Sequence, residues 1–223
     1  MGGKLHRFDG YDLKKHINDN VGTFLDIGAC IGSVSIMARI LFPETRIIAL
    51  EPCIDNFEIL TKQAIDFEYY NIALGPGAKM CYWHKRARGM RKFVSKDEME
   101  REKYPILESN KYFVGSKTLP QIFNDYNINT DEDYIIKCDC EGGERFIYND
   151  VTADKWIRGA IMFIVEVHMF WGVTAEEWDK WFNKFRDTHE VLLGIKHKYY
   201  TCGEVPKNRK RFTIQLLRKK CNG

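Results

Sequence analysis

The chain has 223 residues, of which 44% are hydrophobic, 29% charged and 13% aromatic; a chain of this size buries about 70% of its unfolded surface, which excludes disorder and any need for disulfide staples. Lys and Arg number 34 against 31 Asp and Glu, and the resulting net charge of +3 is too small to mark a dedicated nucleic-acid binder. The longest run of large apolar residues, 161–165, falls far short of the roughly 20 residues that cross a bilayer.

One domain, 1–223, is expected from the length. The amino end, Met-Gly-Gly-Lys-Leu-His, lacks the apolar core of a signal peptide and has His6 where a myristoylation signal prefers Ser or Thr. Residues 11–19 have the pattern of a short amphipathic helix, and 23–28 form an apolar strand that breaks into Gly28-Ala-Cys-Ile-Gly32. A helix over 33–42 follows, stopped by Pro43. Residues 46–51 are a second strand, and Asp55 and Glu58 have capping-box spacing for a helix running to about Ile65. A third strand, 68–73, turns at Gly75-Pro-Gly77 toward a hairpin partner at 79–84.

The stretch 85–117 is an insertion within the domain, with Arg86, Arg88, Arg91 and Lys92 ahead of Asp97, Glu98, Glu100 and Glu102. Insertions of this length are lids or mobile surface loops; a solvated helix of mixed charge is the competing reading. Residues 134–139 form a fourth strand, followed by a helix from about Gly143, and 161–168 form a fifth. Thr174 and Glu177 cap a helix whose Trp178, Trp181, Phe182 and Phe185 recur at i, i+3, i+4 and i+7. Strands at 191–200 and 212–217, joined by a basic, turn-rich segment, close the chain as a hairpin. Near-continuously apolar strands separated by helices predict a parallel sheet covered on both faces, and the last pair predicts an antiparallel edge. The seven cysteines (30, 53, 81, 138, 140, 202, 221) include no CxxC pair. Cys138 and Cys140 lie in an apolar strand where thiols pack rather than ligate, so a reducing, cytoplasmic setting is expected.

Ligands of open α/β sheets bind beyond the carboxyl ends of the strands, where Phe24-Leu-Asp26-Ile-Gly28-Ala29-Cys30-Ile-Gly32 falls. Cys30 replaces the second glycine of the dinucleotide fingerprint, the one that lets backbone approach a pyrophosphate. Asp26 would also repel a phosphate, and suits a cationic ligand such as an amino group beside a sulfonium. Glu51, 23 residues beyond Gly28, can accept both hydroxyl hydrogens of a ribose. Jointly these features fit S-adenosylmethionine. Singly, the glycines also serve a tight turn and Glu51 a surface strand end.

The sequence resembles the FkbM family of S-adenosylmethionine-dependent O-methyltransferases over roughly 21–170. Leu25-Asp26-Ile-Gly28-Ala29-Cys-Ile-Gly32 is similar to the family's D-x-G-A-x-x-G segment, and Glu51-Pro52 with Asn56-Phe57 to its E-P-x-x-x-x-F. Asn71-Ile-Ala73-Leu matches N-x-A-L, and Thr118-Leu119 matches T-L. Lys137-Cys-Asp139-Cys-Glu141-Gly142-Gly143-Glu144 resembles the more specific K-I-D-x-E-G-x-E, and Glu166-Val-His168 the acid and histidine after the next strand. Pro120 and Gly143 stand where the family usually has Asp and Ala. The resemblance implies a class I (Rossmann-like) α/β fold, with seven mostly parallel strands, helices on both faces and an antiparallel C-terminal hairpin strand. It implies a cofactor site of Asp26, Gly28, Ala29, Gly32, Glu51, Pro52, Asn71 and Ala73. It also implies methylation of hydroxyl groups on polyketides, sugars, and other glycan or lipid acceptors.

An alcohol is a weak nucleophile, so methyl transfer needs its oxygen positioned and its proton removed by a base or with metal assistance. Adjacent parallel strands would bring Lys137, Asp139, Glu141 and Glu144 to one rim with Glu166 and His168. His168 is a candidate base, Asp139 its orienter or the base itself, and Lys137 the partner of an acid. Glu141 and Glu166 complete the catalytic candidates. Asp139, Glu166 and His168 equally suit magnesium or manganese, and spacing does not separate the two readings. Glu144 also fits a charge at a helix N-terminus. Histidines 6, 16, 84, 189 and 197 read as structural or surface.

Residues 196–220 hold nine Lys or Arg and one acid, Glu204. Such residues protect a sheet edge. Alternatively Lys207, Arg209, Lys210 and Arg211 meet an anionic acceptor, with Tyr199 and Tyr200 stacking on a sugar ring. The expected partner is a sugar, glycan or nucleotide-sugar, without a nucleic acid or a membrane span. Two alternatives stand beside it: methylation of the ribose 2′-hydroxyl of RNA, and a catalytically silent cofactor-binding subunit. The joint presence of Lys137, Asp139, Glu141 and His168 argues against the latter.

Overall fold

A computed structural model of the chain describes residues 13, 20–63, 65–77, 81–85, 91–95, 111–169, 172–195, 198–201 and 211–219. Its centre is β1 (Val21–Ile27), buried along nearly its whole length, as a strand covered on both faces must be. It pairs in parallel with β2 (Arg46–Leu50) on one side and β9 (Asp133–Cys138) on the other. β3 (Glu68–Tyr70) extends the sheet beyond β2, and β10 (Met162–His168) extends it beyond β9, both parallel. β13 (Arg211–Arg218) is antiparallel to β10, and β11 (His189–Ile195) is antiparallel to β13. β12 (Lys198–Thr201) adds an outer edge, giving the order β12-β11-β13-β10-β9-β1-β2-β3.

Neighbouring residues of each strand face opposite layers, as the period of two requires. Leu25, Ile48, Ile136 and Phe163 join one apolar cluster with Trp178, Trp181, Phe182 and Phe185. Phe24, Ile47, Ile135 and Ile164 join another with Met37 and Phe42. The first layer holds α3 (Leu119–Asp125), α5 (Asp154–Gly159) and α6 (Ala175–Asn183), and the second α1 (Ser33–Leu41). The capping box expected at Thr174 and Glu177 is present at the start of α6. Thr118 and Gln121 form a second one at α3, where Pro120 occupies the first turn and the missing N–H costs nothing. Between these helices runs α4 (Arg145–Tyr148).

Several sequence expectations are corrected. α2 (Ile54–Thr61) starts before Asp55 and has no side-chain cap, because the Glu51 carboxylate accepts the Cys53 N–H instead. The third strand is interrupted after Tyr70, where the Asn71 side chain donates to the carbonyls of Glu51 and Pro52. The chain resumes as β4 (Ala73–Leu74), paired in parallel with β8 (Ser116–Lys117). β5 (Cys81–Lys85) is no partner of β3; it lies between β6 (Arg91–Ser95) and β7 (Lys111–Val114) in a separate antiparallel sheet. Within 85–117 the described residues fall mainly in strands, and Arg86, Arg88, Asp97, Glu98, Glu100 and Glu102 of the mixed-charge stretch lie outside the described residues. The segment 191–200 is two strands, β11 and β12, paired with each other. Of the helix expected over 11–19, only Leu13 is among the described residues, and it is buried. No helix of the described residues is long and apolar enough to cross a membrane.

Candidate active site

The order of the sheet reverses between β1 and β9, and the crevice at such a switch point is the usual ligand site. The turn leaving β1 is built there. Gly28 takes φ +80°, and a Cβ on it would lie 2.0 Å from the Asp139 carbonyl oxygen. Only glycine allows the β1 and β9 exits to touch in this way. Gly32, at φ +91°, caps α1, and a Cβ there would meet Leu60 at 2.6 Å. Cys30 also adopts a left-handed conformation, at φ +54°, and its N–H donates to Glu51 Oε2 at 2.8 Å.

Asp26 is fully buried beneath this turn. Ser35 Oγ donates to its Oδ2 at 2.6 Å, and Lys137 Nζ lies 3.0 Å from its Oδ1. The buried Lys137 ammonium also donates to the Gly28 carbonyl at 2.7 Å. Both residues thus lie under the turn: Lys137 pairs with an acid, as the sequence reading had it, and that acid is Asp26, which the same reading set against a ligand amino group.

Glu51 closes the other side of the crevice. Its Oε1 accepts from Cys53 N at 2.9 Å and Asn56 Nδ2 at 3.4 Å. Burial raises its pKa, against the pull of the Cys53, Cys30 and Asn56 hydrogen bonds and the Lys137 charge. Pro52 and Ala73 are buried alongside, and the exposed Asn71 fixes the loop after β2 through the two carbonyl bonds given above. Ala29 is buried within the turn.

The exits of β9 and β10 form the second half of the site. His168 is 4% exposed, and its Nδ1 lies 3.1 Å from Glu144 Oε1. That carboxylate, itself 1% exposed, accepts the His168 backbone N–H at 2.7 Å and the Gly142 N–H at 2.8 Å. Glu144 therefore orients the ring from its Nδ1 side. His168 Nε2 faces Glu141 Oε2 at 3.3 Å and Glu166 Oε1 at 3.7 Å, without forming a hydrogen bond. Glu141 stands on a left-handed backbone, φ +53°, a costly conformation for a residue with a Cβ that recurs at functional sites. Arg211 Nη1 lies 3.3 Å from Glu166 Oε1, because the first residue of β13 pairs with His168 across the sheet.

These neighbours shift one another's protonation. Burial works to lower the His168 pKa, but the Glu144 hydrogen bond and the charges of Glu144, Glu141 and Asp139 outweigh it and push it up to about 9. Burial raises Glu141 and Glu166, with the Asp139 charge adding to both and His168 and Arg211 opposing. Asp139, Glu141 and His168 offer donor atoms that all lie within 4.8 Å of one another. Glu166, named with Asp139 and His168 as a metal candidate from sequence, lies 3.7 Å from His168 Nε2 and 3.3 Å from Arg211 Nη1. Of the basic segment, Lys207, Arg209 and Lys210 lie outside the described residues. Ser35 as the partner of Asp26, Glu144 as that of His168 and Arg211 as that of Glu166 were not foreseen. Glu144 carried a signal in its place in the K-x-D-x-E-G-x-E block and Arg211 in its place in the basic segment, whereas Ser35 carried none.

The order β3-β2-β1-β9-β10-β13-β11, with β13 antiparallel, is that of a class I methyltransferase. Residues 26–197 match the methyltransferase FkbM domain, and the chain belongs to that family. Among solved structures it is similar to the methyltransferase FkbM from Methylobacillus flagellatus KT, at 14% identity and a TM-score of 0.46, over 88% of this chain and 44% of that one. The chain thus spans less than half the length of that relative. It is similar to an rRNA methylase from Streptococcus thermophilus, at 8% identity and a TM-score of 0.49, over 97% and 95% of the two chains. A third similar structure is the plantazolicin methyltransferase BpumL in complex with SAH, at 8% identity and a TM-score of 0.45, over 96% and 82%. No curated protein gives a match.

Proposed function

We propose that the chain is an S-adenosylmethionine-dependent O-methyltransferase acting on a hydroxyl of an anionic sugar or glycan. The observation that carries this is the convergence of Glu141, Glu166, His168 and Arg211 at the strand exits beside the Gly28 turn. The crevice residues suit the cofactor. Each Glu51 oxygen has two lone pairs, so Oε2, which accepts from Cys30, retains acceptor capacity for a ribose hydroxyl. When bound, S-adenosylmethionine supplies an electrophilic methyl group on a sulfonium. Gly28 and Ala29 form the floor of its site, and Glu51 holds its ribose. Asp26 and Lys137 act from beneath by fixing the Gly28 carbonyl. Asn71, Pro52 and Ala73 hold the Glu51 loop.

At the rim, the surrounding carboxylates push the His168 pKa up to about 9, which moves it away from the range that suits a general base. We assign proton removal to Glu166, whose raised pKa makes it a better proton acceptor than an ordinary carboxylate. Glu166 takes the proton of the acceptor O–H, and the bound cofactor would supply the methyl group and depart as S-adenosylhomocysteine, its carbon–sulfur bond broken. Asp139 and Glu141 add the negative charge that holds His168 and positions the acceptor. Arg211, with an exposed side chain, meets an anionic group on the acceptor and keeps Glu166 in place. The test is transfer of isotope-labelled methyl to a panel of glycans, nucleotide-sugars and RNAs. Alkali-stable label on an acidic glycan or nucleotide-sugar is expected, falling at least tenfold in Glu166→Gln. Label on RNA alone, or on no acceptor, would overturn the proposal.

A further inference from the structure

The rim contains more fixed negative charge than proton removal from an alcohol requires, and its histidine is held in an unusual way. Glu144 is tied to two backbone N–H groups and to His168 Nδ1, which fixes the ring from one side. A carboxylate on one ring nitrogen orients the other as a donor to a metal, the arrangement that recurs behind metal-ligating histidines. Here that other nitrogen, Nε2, is buried, makes no hydrogen bond and is aimed at carboxylates. The His168 side chain is only 3% exposed, so water does not readily satisfy it. Asp139 and Glu141 bring their oxygens close enough to complete a three-residue donor set.

We infer that Asp139, Glu141 and His168 form a divalent cation site, with Glu144 as the positioning residue behind His168. Two carboxylates and an imidazole select a hard or borderline ion, and the imidazole favours Mn²⁺ over Mg²⁺. The 4.8 Å spread of the donors closes onto one ion with bonds of about 2.0–2.3 Å through small side-chain rotations. Three protein ligands leave coordination positions open for water and for an acceptor oxygen. With the ion in place both ring nitrogens have a partner, Glu144 at Nδ1 and the ion at Nε2. Glu166 stays outside the set, beside Arg211, and remains the proton acceptor. The role of the ion in catalysis rests on the methyltransferase proposal, whereas its binding does not.

The experiment is a Mn²⁺ titration of chelator-stripped full-length protein, followed by calorimetry and by the loss of the free-ion paramagnetic resonance signal. One Mn²⁺ per chain is expected, with Glu141→Gln and Asp139→Asn each weakening it at least tenfold. Glu141 is the safer substitution because its side chain is 35% exposed. A far-ultraviolet circular dichroism spectrum and a urea midpoint matching the parent show that each variant is folded, independently of any cofactor. Wild-type binding that does not saturate below about 1 mM, or equal affinity in folded variants, would overturn the inference. Methyl transfer undiminished by chelation would also overturn the ion's role while leaving the methyltransferase proposal standing. Tight Mn²⁺ binding without any acceptor methylated would do the reverse.

Discussion

Lys137 Nζ lies 3.0 Å from Asp26 Oδ1, and both side chains are almost fully buried. A buried pair adds little net stability, but removing one partner strands the other charge and costs about 3–5 kcal/mol. Lys137→Met is therefore expected to lower unfolding stability in urea by about that amount, with Asp26→Asn in the same chain restoring most of it. A loss under about 1 kcal/mol from Lys137→Met would show that the pair is not buried as described. The sequence placed Asp26 at the cofactor turn and Lys137 at the neighbouring rim, because the motifs containing them flank strand ends. Their mutual pairing was not legible, since it joins residues on different strands that meet only through the β1–β9 register. The same holds for Glu144 and His168, and for Arg211 and Glu166.

Among the elements, the turn between β9 and α4 explains a departure from the family pattern. Gly143 stands where the family usually has Ala. A Cβ there would lie 2.9 Å from Cys140 Sγ and 3.2 Å from the Leu74 carbonyl oxygen. Cys140 cannot easily yield, because its sulfur already lies 3.4 Å from Cys138 Sγ. Gly143→Ala is expected to cost about 1–3 kcal/mol by overpacking. In a double-mutant cycle, Cys140→Ala should recover at least half of that loss, since the two sites share one contact. Additive losses measured by denaturation would refute the clash. Element boundaries were legible where local chemistry set them, as in the capping box at Thr174 and the stop at Pro43. They were not legible where a distant group set them. Glu51 moves the start of α2, and β8 recruits Ala73 and Leu74 away from β3.

At the scale of the molecule, the alternation of strand and helix predicted the parallel sheet and its antiparallel end, because each segment had to cover an apolar face. The strands at 79–84 and 191–200 were legible, but the break that makes β12 a separate edge strand and the pairing of β5 with β6 and β7 were hidden, since no local pattern links the paired segments. The strand order places the Gly28 turn, Glu51 and the acid-rich rim at the same ends of adjacent strands. The central claim is that this crevice holds S-adenosylmethionine through Glu51. Calorimetric titration with S-adenosylhomocysteine tests it most directly. One molecule per chain should bind, Glu51→Gln should weaken that binding at least tenfold, and NADH should not compete. Absence of binding, or equal affinity in a folded Glu51→Gln variant, would contradict the account.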